Sequence, residues 1–139
     1  MLSGMTRNQT AANFLWQGLQ PADAILIASD LKVTAVMTEL NLRWNSIGDE
    51  GAIAIAEALK VNAVVTTLTL GYNNIGDEGA IAIAEALKVN AVLTELSLNF
   101  NSIGEAGEEE VEDAVKDRSG FHLSCEQYGE EYEEEDWEE

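Results

Sequence analysis

Residues 45–62 read NSIGDEGAIAIAEALKVN, and residues 73–90 read NNIGDEGAIAIAEALKVN. The two stretches start 28 residues apart and differ only at Ser46 and Asn74. A fixed period of this length marks a solenoid, because a unit that cannot bury its apolar face alone must stack on the next. The duplicated stretch therefore decides the fold: an α/β solenoid of about four 28-residue units, each one strand and one returning helix.

Laid out at that period, the strand-like stretches are 37–44, 65–72 and 93–100. Leu40 and Leu42 alternate with Glu39, Asn41 and Arg43, the period of two of a half-buried strand. Asn45, Asn73 and Asn101 follow, then Ile47, Ile75 and Ile103, then Gly48, Gly76 and Gly104. The helical stretches open on Asp49-Glu50 and Asp77-Glu78 and close on Lys60 and Lys88, which complements the helix dipole. Ala52, Ile55, Ala56 and Leu59 make one inward stripe, and Asn62 and Asn90 end the helices.

The ends are degenerate units. Pro21–Leu31 aligns with the helices, Phe14 with Leu42, Trp16 with Trp44 and Gln17 with the asparagines, so residues 1–33 read as an N-terminal cap. Residues 105–125 read as a C-terminal cap. Glu109, Glu110 and Glu112 make its helix polar on the outside, and a last short strand over 121–125 turns Leu123 and Cys125 inward. The solenoid thus spans 1–125, and residues 126–139, with nine acidic residues, read as a disordered acidic tail.

The net charge is −19, of which 105–139 carries −14 and 1–104 carries −5. That balance repels phosphate backbones, which argues against a nucleic-acid partner, and attracts a protein with a basic surface. A single cysteine, Cys125, excludes an internal disulfide and a cysteine metal site, as fits a reducing compartment such as the cytoplasm. Neither a secretory signal nor an apolar run long enough to span a membrane is present in the sequence.

The unit Leu40-x-Leu42-x-x-Asn45-x-Ile47-Gly48, with Asp49-Glu50-Gly51-Ala52 and Ala56-Glu57-Ala58-Leu59-Lys60, resembles a leucine-rich repeat of the ribonuclease-inhibitor type, especially those of NOD-like receptors. The resemblance covers roughly residues 10–125. It implies a right-handed coil with a parallel sheet on the concave face and helices on the convex face. It also implies that Asn45, Asn73 and Asn101 stack as a structural ladder, bonding backbone groups in the turns. No nucleotide-binding domain accompanies the repeats, so the receptors' activity does not carry over.

With the leucines inward, four columns line the sheet face: Glu39/Thr67/Glu95, Asn41/Thr69/Ser97, Arg43/Gly71/Asn99 and Trp16/Trp44/Tyr72/Phe100. The last would form an aromatic ribbon, since parallel strands lie ~4.8 Å apart. Exposed Trp and Tyr are favoured interface anchors, while the bland reading is that the rings pack on one another. Ile25, Ile53 and Ile81 form a column on the helices that serves either inter-unit packing or self-association. His122 has no nearby set of metal ligands in the sequence, Cys125 reads as a small buried apolar group rather than a nucleophile, and no catalytic spacing or phosphate loop occurs.

These readings converge on a non-enzymatic protein-interaction module that needs no cofactor or metal and binds a partner on its concave face. Two other readings stand beside it. The layout of repeats followed by an acidic tail is similar to Ran GTPase-activating proteins, which implies regulation of a small GTPase. A repeat scaffold without a partner of its own is the third.

Overall fold

The computed structural model describes residues 3–6 and 8–127. Strands and helices alternate: β1 (Ala11–Asn13), α1 (Pro21–Leu31), β2 (Glu39–Asn41), α2 (Gly48–Leu59), β3 (Thr67–Thr69), α3 (Asp77–Leu87), β4 (Glu95–Ser97), α4 (Glu105–Val115) and β5 (His122–Ser124). The strands pair in chain order as one parallel sheet. Ala12 stands beside Leu40, Leu40 beside Leu68, Leu68 beside Leu96 and Leu96 beside Leu123. Each helix packs on the next, α1 to α4. This is the expected α/β solenoid, with one strand–helix unit per 28 residues. No helix among the described residues is long and apolar enough to cross a membrane.

The core lies between the sheet and the helix row. Leu40, Leu42, Leu68, Leu70, Leu96 and Leu98 are buried from the sheet side, and Ala52, Ile55, Ala56 and Leu59 from the helix side. Ala58 and Ala86, outside the predicted stripe, are also fully buried. Small side chains there let neighbouring helices approach closely, so each helix buries two faces rather than one. The strands are three residues long, shorter than the predicted eight. Inter-unit bonding nevertheless continues past them, from the Leu42 amide to the Thr69 carbonyl (2.9 Å) and from the Trp44 amide to the Gly71 carbonyl (3.0 Å). The extended run ends because Trp44 turns into the left-handed region, at φ 62°.

Turning the chain once per unit strands backbone N–H and C=O groups in the interior, where each must find a partner. Three side-chain ladders supply them. The first is the asparagine ladder. Asn73 is fully buried; its Nδ2 donates to the carbonyls of Leu42 (2.7 Å), Leu70 and Gly71 (both 3.1 Å). The Oδ1 of Asn101 accepts from the amides of Asn73 (2.7 Å) and Ile75 (3.0 Å). Gln127 ends this ladder, its Oε1 accepting from the Asn101 amide (2.9 Å) and its Nε2 donating to the Leu98 carbonyl (3.0 Å). The sequence reading closes the solenoid at Cys125, but the fold runs on through Gln127, which is buried. The remainder of the predicted tail, 128–139, lies outside the described residues.

The second ladder runs along the opposite turn. Asn62 and Asn90 do end their helices, but they point inward. Asn62 Nδ2 donates to the Leu31 carbonyl of the previous unit (2.8 Å), and its Oδ1 accepts from Val64 and Val65. Asn90 repeats the pattern on Leu59. In the next unit Arg118 takes this position and donates to the carbonyls of Leu87 (3.1 Å) and Leu93 (2.6 Å). The third ladder is carboxylate. Asp49 sits in the first turn of its own helix, as expected. Its Oδ1 also accepts from the amides of Gly76 (2.7 Å) and Gly79 (2.8 Å), capping the helix of the following unit. Asp77 does the same for Gly104 and Gly107.

The one substitution between the two near-identical units accompanies a change of turn. Asn74 adopts φ 64°, whereas in the Ser46 unit Gly48 takes the left-handed conformation at φ 67° and the helix starts one residue earlier. Asparagine tolerates that region better than serine, and glycine best of all.

Two stability measurements check this scheme. Asn73→Ala takes one of two donors from each of the Leu42, Leu70 and Gly71 carbonyls and the side-chain acceptor from the buried Ile47 amide, and should cost ~2 kcal/mol or more in urea unfolding. Gly79→Ala improves helix propensity, yet its Cβ would lie 2.8 Å from Asp49 Oδ1 and 3.0 Å from the Ala52 Cβ. It should therefore destabilise by ~1–3 kcal/mol.

The concave face as candidate binding site

The parallel register turns each sheet position into a column across units. Glu39, Thr67 and Glu95 stand side by side, as do Asn41, Thr69 and Ser97, as the sequence predicts. Glu39, Glu95 and Arg43 are exposed, and Thr67, Thr69, Asn41, Ser97 and Asn99 are half-buried. The columns extend further than the sequence reading took them. His122 continues the Glu95 column and Ser124 the Ser97 column, while Ala11 and Asn13 begin them. Carrying the predicted 121–125 strand into the column register would have found the former pair. A shallow hollow over the first three strands is lined by Asn13, Leu40, Asn41, Thr67 and Thr69.

The aromatic column forms at the C-terminal edge of the strands. Trp44 and Tyr72 are stacked, with ring centroids 3.8 Å apart and planes within 6°, and Tyr72 stacks in turn on Phe100 at 5.1 Å and 28°. The predicted ribbon of four is thus a stack of three. Trp16 occupies the matching position but is 79% exposed and shares no ring contact with the described residues, so among them one face of Trp44 has no aromatic neighbour. A second hollow beside the stack is lined by Trp44, Ser46, Asn74, Phe100 and Ser102. Arg43 reaches across Gly71 to place its guanidinium 5.4 Å from the Tyr72 ring centroid. A Cβ on Gly71 would meet Arg43 Cγ and Nε at an ordinary contact distance of 3.6 Å but would crowd the Asn99 carbonyl oxygen at 3.2 Å, so glycine suits the close approach of the next unit's backbone.

All four aromatic positions are left-handed: Trp16, Trp44, Tyr72 and Phe100 have φ between 55° and 62°. For a bulky L-residue this costs ~1–2 kcal/mol. No pattern of alternation reveals the strain, because it follows from a turn that only the coordinates show. Elsewhere in the predicted set, Asn45 serves the ladder, its Oδ1 accepting from Gln17 and Leu19. His122 is exposed, Cys125 is half-buried against the core, and no group able to hold a metal ion occurs among the described residues.

A family profile described as "Leucine Rich repeat" matches residues 35–56, 61–84 and 89–107. These are leucine-rich repeats. Leucine-rich repeats typically serve as protein-interaction modules. The profile does not single out the ribonuclease-inhibitor or NOD-like receptor type. Among solved structures, the leucine-rich repeats superpose on "Leiomodin-1 Actin-Binding Site 2 (ABS2)" with a TM-score of 0.77 and 27% identity, covering 91% of this chain and 75% of that one. Fifty-two solved chains match in all, so the architecture alone does not select a partner. No curated protein matches the sequence.

Trp16 offers a clean test of the left-handed strain, because it has no ring contact to lose. Trp16→Asn should raise thermal stability by ~0.5–1 kcal/mol. The same change at Tyr72 should be neutral or destabilising, because two stacked pairs worth ~0.5–1.5 kcal/mol each go with it. Paired melting curves decide.

Proposed function

We propose that the chain binds a protein partner on its concave face, with Trp44, Tyr72 and Phe100 as the central anchors and Glu39, Asn41, Arg43, Glu95 and Asn99 around them. The observation that carries this reading is the strain. Glycine or asparagine would make the same turns more cheaply, so three bulky rings kept in left-handed backbone, with Trp44 exposed at the end of the stack, speak for a role at the surface beside their stacking in the fold. Stacking also fixes the rings before a partner arrives, which lowers the entropic cost of binding. The half-buried threonines, serine and asparagines beside them supply hydrogen-bonding groups at the rim.

Charge shapes the partner's chemistry. Net acidity through the repeats, together with exposed Glu39 and Glu95, favours a basic protein surface over a nucleic acid. The likeness to an actin-binding leucine-rich repeat domain makes actin the first partner to test.

Retention of purified actin on the immobilised full chain, alongside Trp44→Ala and a convex-face variant, Glu57→Arg, tests the proposal. Trp44→Ala should weaken binding by ~2 kcal/mol or more while the fold persists, and Glu57→Arg should leave it unchanged. Equal binding by Trp44→Ala would remove the aromatic stack from the interface. If actin is not retained at all, the same comparison is made on proteins captured from a cell extract and identified; a captured set indifferent to Trp44→Ala rejects the concave-face reading itself.

A further inference from the structure

All four lysines of the chain, Lys32, Lys60, Lys88 and Lys116, fall at the 28-residue period. They form one exposed column where the helices end. Directly beside it run Val33, Val61 and Val89, exposed at 72%, 65% and 66%, the most exposed aliphatic side chains among the described large hydrophobics. Ala35, Ala63 and Ala91 are exposed in the same turns. Three β-branched side chains held in water at one register of successive units line up as an apolar ridge, and grouped exposed apolar side chains mark contact surfaces. Lys60, Lys88 and Lys116 each meet one carboxylate three residues earlier, at 3.1, 3.5 and 3.7 Å. An ammonium has three donors, so each retains capacity for a second carboxylate. At the end of the ridge, in the last repeats, lies a hollow lined by Leu87, Val89, Ala91, Ala114 and Arg118.

An apolar ridge beside a cationic row fits a segment that is both acidic and aromatic, and the chain contains one. Residues 128–139 read YGEEYEEEDWEE, eight carboxylates with Tyr128, Tyr132 and Trp137 between them. The segment follows Gln127, which is anchored at the opposite edge of the last unit. The eleven-residue helix α4 that separates the two edges is ~16 Å long, at 1.5 Å per residue. Twelve extended residues span up to ~40 Å, so the segment reaches the ridge with length to spare.

We propose that the acidic aromatic segment 128–139 docks in cis on the lysine–valine ridge of its own solenoid. Its carboxylates take the free donors of Lys88 and Lys116, and an aromatic ring covers Val89 and the hollow beside Arg118. The segment would then shield the lysine row from outside acidic partners. This proposal is independent of the concave-face reading, because the ridge lies at the other edge of the sheet.

Zero-length carbodiimide coupling of the intact chain tests it, with the products separated by size and the joined residues mapped by mass spectrometry. Lys88 and Lys116 should couple to carboxylates of 130–139 within single-chain species. Val89→Ser, a solvent-exposed change that leaves the core intact, should cut that yield several-fold, and so should Trp137→Ser. Three results would each overturn the proposal. One is the absence of lysine links to 130–139. Another is links found only in two-chain species, which would assign the contact to a second copy. The last is a yield unaffected by both Val89→Ser and Trp137→Ser, which would make the contact mere charge proximity.

Discussion

The constraint on which this structure depends is that a chain turning back on itself every 28 residues strands polar backbone in its interior. An unpaired buried amide or carbonyl costs as much as a good hydrogen bond contributes. The solenoid meets much of the demand with side chains that reach into adjacent units. Asn73 bonds carbonyls of its own unit and of the one before it, Asn90 reaches back to Leu59, and Asp49 reaches forward to Gly76 and Gly79. The leucines provide the driving force for burial, but these ladders fix the spacing at which burial is possible. No buried side-chain nitrogen or oxygen among the described residues is left without a partner.

The ends show the same rule under different chemistry. At the start, Gln17 and Leu19 donate to Asn45, so a degenerate unit still feeds the ladder. At the finish, Gln127 follows Asn101 by 26 residues rather than 28, and Arg118 replaces an asparagine amide with a guanidinium that serves two carbonyls. A longer side chain compensates for a shorter or altered turn. Helix α4 presents Glu105, Glu109 and Glu112 to solvent, where α2 and α3 carry mostly apolar residues.

Most of the fold was legible because periodicity reports directly on packing. The α1 range, the strand register of Phe14 and Trp16 on their later counterparts, and the inward stripe of Ala52, Ile55, Ala56 and Leu59 could all be read from the letters. What the letters hid was direction. Asp49 looks like an ordinary helix-start residue, and only the coordinates show its oxygen on the next unit. Asn62 looks like a helix stop, yet it is a second ladder. The aromatic column was visible as a pattern, but its left-handed backbone was not, nor was the isolation of Trp16 from a stack that joins the other three rings. The exposed valines escaped notice because a period alone does not say which side of a turn faces water.

The forward reach of Asp49 and Asp77 has a consequence for how such a chain can lengthen. The joint from Asp49 to Gly76 and Gly79 is repeated from Asp77 to Gly104 and Gly107, so the same cap serves two successive helices. A duplicated 28-residue block arriving by recombination would find both joints already compatible. Array length could then change without any new kind of contact between units.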